Sequence, residues 1–127
     1  MPLGDPKGDF QYTFEGLPET IACVEIPVSD VSLSTAFYKD IMRMDLVSSC
    51  DEYALLKLRG TYVKIKKCQT CGIDTGIYMG VRDPFEFHRR MVDENVTFIR
   101  HPEKGDVGVY ASFRDPDGNV IHVMTNV

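Results

Sequence analysis

Along residues 21–28, apolar and polar side chains alternate: Val24, Ile26 and Val28 fall on one face of an extended chain, and Cys23, Glu25 and Pro27 on the other. That two-residue period predicts a strand with one buried side. The pattern then changes. Asp30 is a good N-cap, and Leu33, Phe37 and Ile41 recur at every fourth position, which predicts a helix with one apolar stripe, ending around Met42-Arg43-Met44. Residues 45–49, 53–58 and 61–67 return to strand character, joined by a turn at Cys50-Asp51-Glu52 and a tight one at Arg59-Gly60.

The same order recurs in the second half. Residues 73–82 read as a strand with Ile77, Met79 and Val81 on one face and Gly76, Tyr78 and Gly80 on the other. The next helix has a marked start, because Asp83 caps, Pro84 suits the first helical position and Glu86 completes a capping box. Phe87, Met91 and Val92 form its apolar stripe, Asn95 terminates it, and residues 96–100, 109–113 and 119–124 supply three more strands. The expected fold class is therefore α+β, built from two βαβββ modules at about 20–67 and 73–125 within one domain spanning 20–127. The repeat rests on element order and matching turns, since the halves share little sequence. Residues 1–19 form an N-terminal extension rich in breakers (Pro2, Gly4, Pro6, Gly8, Gly16, Pro18). In it, Phe10, Tyr12 and Phe14 alternate either as a short extra strand or within a loosely held tail.

Charge and length narrow the function classes. At 127 residues the chain can bury one substantial core, and 43% hydrophobic with 26% charged residues is the balance of an ordinary soluble globule. A net charge of -5, with Lys64, Lys66 and Lys67 as the sole basic cluster, argues against nucleic-acid or anionic-membrane partners. No apolar run reaches bilayer length and the start lacks the basic-then-apolar pattern of a signal peptide, so the expected compartment is the cytoplasm. There, Cys23, Cys50, Cys68 and Cys71 are expected as thiols or ligands rather than disulfides. Cys68-Gln69-Thr70-Cys71 lies in the connector between modules, where it reads as incidental, as a dithiol, or as half of an intersubunit metal clip.

The sharpest local signal is Phe113 to Met124. Asp115-Pro116-Asp117-Gly118 combines a fixed φ at Pro116, carboxylates that can bond nearby backbone, and a glycine that accepts positive φ; a β-branched strand follows Asn119. This stretch resembles the closing motif of the glyoxalase / bleomycin-resistance / extradiol-dioxygenase (vicinal oxygen chelate) superfamily. Ala22 to Asp30, followed by Ser34, Phe37, Tyr38 and Asp40, resembles that family's opening strand and helix, so the likeness covers about residues 20–125. Arg43 departs from the pattern, standing where the family usually has glycine, which implies a helix end built in another way. The resemblance implies curved mixed sheets around a shared cavity, helices outside, and a homodimer.

It also implies where chemistry should lie. Setting Gly60 against Gly118 pairs Lys64 with His122, and setting Val28 against Val81 pairs Cys23 with Gly76. Metal-dependent members carry their His and Glu ligands at these positions, whereas here glycine offers no donor and lysine is a poor one. No metal or other cofactor is therefore favoured; the fallback ligand set for a divalent ion (Zn, Ni, Mn or Fe) is Cys23, Glu25 and His122. The expected ligand-binding residues are Cys23, Tyr62, Lys64 and Tyr78, with Glu25 and His122 as candidate catalytic groups. Lys64 and His122, expected to face each other, suit an anionic or carbonyl-bearing molecule. A simple Glu25–Lys64 ion pair is the plainer alternative. The leading function is a small-molecule-binding protein of the bleomycin-resistance type with a degraded metal site. The alternative is a metal-dependent lyase, isomerase or dioxygenase, and an accessory domain ranks last because so polar a cavity lining is not mere core.

Overall fold

The computed structural model describes residues 15–126; the expected strand through Phe10, Tyr12 and Phe14 lies outside them. The first module runs β1 (Cys23–Val28), α1 (Val31–Ala36, continued by a wider turn Phe37–Ile41), β2 (Asp45–Ser49), β3 (Tyr53–Leu58) and β4 (Thr61–Lys67). The second runs β5 (Asp74–Val81), α2 (Pro84–Asp93), β6 (Thr97–Gly105), β7 (Gly108–Arg114) and β8 (Val120–Thr125). Each module folds into a four-stranded sheet, ordered β1-β4-β3-β2 and β5-β8-β7-β6. Both sheets are mixed: β1 runs parallel to β4, and β5 to β8, while the remaining pairs are antiparallel. No helix among the described residues is long and apolar enough to cross a membrane.

Alternation gives each sheet one buried face. Ile26, Val28, Val63 and Ile65 in the first module and Ile121 and Val123 in the second join one core with Phe37 and Phe113. Helix α1 packs on β3 and β4, and α2 on β6, β7 and β8. The rings of Phe37 and Phe87 each lie against Phe113, with centroids 6.4 and 5.8 Å away, so the core runs through both modules. Burying a side chain of this size contributes roughly 1.5–3 kcal/mol.

The stripe of α1 differs from expectation. Leu33 is 58% exposed, and the buried positions are Val31, Ser34, Phe37 and Tyr38. Polar contacts with the second module turn the helix this way: Ser34 donates to Asp117, and the Tyr38 hydroxyl donates to Asp115 Oδ2 at 2.7 Å. Val92 is likewise 47% exposed. Arg43 does adopt a left-handed φ of 63°. The helix reaches it through a widened last turn, in which Met42 N–H bonds Phe37 O and Met44 N–H bonds Tyr38 O, so the carbonyls a glycine cap would serve are satisfied in spite of the side chain.

Two further expectations change. Asp83 caps α2 through Phe85 N–H and Glu86 N–H, but the Glu86 carboxylate turns outward to Arg89 at 2.6 Å instead of closing the capping box. Strand β6 continues five residues past Arg100 to Gly105, because its hairpin with β7 pairs Glu103 with Tyr110 and Gly105 with Gly108. The Asp115–Asn119 turn joins the modules. Buried Asn119 accepts from Gly72 and Ile73 N–H and donates to Pro27 O and Asp115, while Asp117 accepts from the backbone and hydroxyl of Ser29.

Candidate functional site

The outward faces of β1 and β4, opposite the core, carry most of the expected site. Register sets Cys23 beside Tyr62 and Glu25 beside Lys64. The corresponding pair in the second module sets Tyr78 beside His122, so Lys64 and His122 occupy equivalent positions of the two sheets. They are not in contact. The Lys64 ammonium lies over the Tyr53 ring, 4.6 Å from its centroid, an exposed cation–π contact of about 0.5–1 kcal/mol. Lys57 lies over Tyr62 at 5.2 Å. Glu25 and Lys64 form no ion pair, and Cys23, an exposed free thiol, bonds only its neighbour's carbonyl.

The second module builds a tighter constellation. His122 is stacked on Tyr78, with centroids 4.5 Å apart and planes 16° apart, and Tyr110 meets Tyr78 edge-on at 6.1 Å. Buried Ser112 lies 2.7 Å from His122 Nδ1, and Asp74 Oδ1 lies 2.8 Å from Nε2. In the neutral ring this arrangement has Ser112 donating to Nδ1 and Nε2–H donating to Asp74. The hydrogen bond from His122, reinforced by Gly76 N–H, holds the Asp74 carboxyl below the usual carboxylate range. The order is the reverse of a nucleophilic serine site, since the serine is buried and the carboxylate exposed.

Asp74 was not anticipated. Its approach depends on a bulge: Asp74 pairs with Val120 and Tyr78 with His122, so β5 spends four residues where β8 spends two. Gly76 sits in the bulge at φ 70°, a conformation that costs other residues roughly 1–2 kcal/mol. Thr75 secures the bulge by bonding Val120 O and Ile77 N–H. The signal in the sequence is that Asp74, Gly76 and Tyr78 share strand parity. Ser112 carried no such signal, because Ala111, Ser112 and Phe113 are all buried and read as core.

Beside this group lies an open depression of about 430 Å³ lined by Tyr78, Arg100, Asp106, Tyr110 and Met124. Arg100 lies over the Tyr110 ring at 5.4 Å and is bonded to Glu103, and the Tyr110 hydroxyl donates to Asp106. Gly105 makes the wall close, since a Cβ there would stand 2.5 Å from the Tyr110 ring. An apolar cleft of about 420 Å³ opens between the modules, lined by Val24, Ile26, Val63, Ile77 and Met79.

The positions at which the resemblance implied metal ligands carry few donors. Gly76 has no donor, the Lys64 ammonium is cationic, and no group of three or more His, Cys, Asp or Glu side chains converges among the described residues. In the connector, the Cys71 thiol donates to Asp117 at 3.7 Å, and burial together with that carboxylate pushes the thiol up from its ordinary value.

No curated protein sequence matches the chain. Among solved structures, TnmS3, an antibiotic binding protein from Streptomyces sp. CB03234, is 21% identical over 87% of this chain and 98% of its own, with a TM-score of 0.73. The bleomycin-binding protein from bleomycin-producing Streptomyces verticillus, complexed with copper(II)-bleomycin, is 16% identical over 87% and 99%, also at 0.73. Lactoylglutathione lyase from Agrobacterium tumefaciens is 15% identical over 86% and 95%, at 0.74. At such identities the likeness is one of fold, shared by binders and enzymes alike. The family model for the Glyoxalase/Bleomycin resistance protein/Dioxygenase superfamily matches residues 20–123, and the chain belongs to that superfamily.

Proposed function

We propose that this chain is a metal-independent small-molecule-binding protein of the bleomycin-resistance type, cytoplasmic and homodimeric, that holds a flat or ring-bearing ligand on the open face of its second module. The observation that carries the reading is the Tyr78–His122 stack, fixed from behind by buried Ser112 and flanked by Tyr110 and Arg100. Aromatic faces of this kind supply binding area at low entropic cost, and the polar edges orient what they hold. The antibiotic-binding relatives support a toxic natural product as ligand class.

The open face of the first module, with Cys23, Glu25, Tyr62 and Lys64, belongs to the same site in this reading. Its residues sit on a different sheet from His122, and association of two copies would set the Lys64 face of one against the His122 face of the other. Lys64 would then supply a point charge to an oxyanion of the ligand.

The test is a thermal-shift and calorimetric screen of antibiotics, bleomycin among them, on chelator-treated protein. Wild type should bind at least one compound, Tyr78→Ala and His122→Ala should weaken it by about tenfold or more, and Lys64→Met should weaken anionic compounds selectively. Equal binding by all four proteins would overturn the site.

A second reading rests on the Asp74–His122 pair. With both ring nitrogens of His122 engaged, the exposed Asp74 carboxylate that it orients at 2.8 Å is the candidate general base, suited to proton abstraction beside a carbonyl, with Glu25 as the second candidate base. Turnover abolished in His122→Ala with ligand affinity kept would favour it; binding without turnover of any carbonyl substrate would leave the binder.

A further inference from the structure

We propose that His88 and His101 form a second, independent site: a two-imidazole seat for a late first-row divalent ion, Cu²⁺ or Ni²⁺, on the outer edge of the second module. His88 lies on α2 and His101 on β6, and Nε2 of the first stands 3.0 Å from Nδ1 of the second. The chain has three histidines, so two of them meet here, away from the Tyr78–His122 face. Neither imidazole has a carboxylate partner among the described residues, and the pair as it stands shares one proton between the two nitrogens.

The spacing is that of a chelate. With metal–nitrogen bonds of about 2.0–2.1 Å, donors 3.0 Å apart subtend roughly 95° at an ion. That is close to the right angle of tetragonal Cu²⁺ or Ni²⁺ and short of the tetrahedral angle zinc prefers. The rings now point nearly head-on, with centroids 5.1 Å apart and planes at 88°, so each imidazole must turn by roughly 40° to bring both lone pairs onto a common point. The ion would replace the shared proton, which moves by exchange with water to the far nitrogen of whichever ring donates it, His88 Nδ1 or His101 Nε2.

The His88 side of the pair is fixed. The His88 ring packs edge-on against Phe98 at 4.6 Å, and Phe98 packs on Phe87 and Phe113 in the core. The neighbouring cations are largely neutralised: Arg89 bonds Glu86 and faces Asp93, and Arg100 bonds Glu103. Two protein donors leave the remaining coordination positions to water or to a metal-binding ligand.

The experiment is titration of tag-free protein with Ni²⁺ by calorimetry and thermal shift, Ni²⁺ being chosen because it does not oxidise thiols. Wild type should bind one ion per chain and gain thermal stability, because the seat joins helix to strand only in the folded state. His88→Ala, at a half-buried position, and His101→Ala, at an exposed one, should each weaken the ion by about tenfold or more, while His122→Ala and Cys71→Ser leave it unchanged. Either no binding by wild type, or undiminished binding by the His88→Ala/His101→Ala double variant, would overturn the proposal. Loss in His122→Ala alone would assign the ion to the other face and overturn it equally.

Discussion

Tyr38 in the first module donates its phenolic hydrogen to Asp115 in the second, 2.7 Å away, and both residues are buried. The bond ties the helix of one half to the closing turn of the other. Tyr38→Phe leaves the packing but deprives a buried carboxylate of one donor, and should cost about 1.5–3 kcal/mol in urea unfolding. Burial, then the Asp115 charge, push the Tyr38 phenol far above its ordinary value of 10.0. A raised value means that this stability is complete below the unfolded phenol's range and declines as pH rises above it. Wild type should therefore lose stability on the alkaline side more steeply than Tyr38→Phe, and parallel alkaline limbs would contradict the assignment.

The acid limb should report Asp74. Its carboxyl is depressed chiefly by the hydrogen bond from His122, so its contribution is present above the unfolded carboxylate range and is lost as pH falls through the depressed value. Asp74→Asn should flatten the stability profile there. The group is solvent-exposed, which keeps the effect small, and an NMR titration of the carboxyl is the sharper check: a value at or above that of a free aspartate would rule out the pairing.

Gly105 gives a test of shape rather than charge. A Cβ at this position would stand 2.5 Å from Tyr110 Cδ1 and Cε1, so Gly105→Ala must displace the Tyr110 ring. Ligand affinity should fall by about tenfold while the melting temperature changes little, since the ring is only half-buried and lies outside the core. Unchanged affinity would remove Tyr110 and its depression from the site.

For the inherited metal position, as-purified protein should carry less than one equivalent of divalent metal there by elemental analysis. Added zinc, nickel, manganese or iron should give no stabilisation that Cys23→Ala or His122→Ala removes. A tightly held ion lost in both variants would restore the metal-dependent reading; one lost in Cys68→Ser would point to the connector.

Much of the fold was legible because it is written in local terms. Strand parity around Ile26, Val63 and Ile121, the Asp83-Pro84 helix start and the Asp115–Asn119 turn each follow from neighbouring residues, whereas Arg43, expected to avoid a left-handed cap, adopts one. The helix stripe at Leu33 was misread because Ser34 and Tyr38 are held inward by Asp117 and Asp115, more than 75 residues away in sequence. The site was legible by half. Equivalence of Lys64 and His122 follows from the turns that precede them, but their actual partners, Tyr53 and Asp74, do not. In an unbroken register Asp74 would lie opposite Gly118, four residues before His122. The Gly76 bulge alone brings it within reach.

On the proposed function, the Tyr78–His122 face binds its ligand without a metal. This is tested most directly by calorimetry of the tightest compound from the antibiotic screen, once with chelator-treated protein and once with a divalent ion in excess. The predicted result is the same dissociation constant in both, with His122→Ala weakened equally in each. Binding that appears only when the ion is present, and that vanishes in Cys23→Ala as well as His122→Ala, would contradict the account.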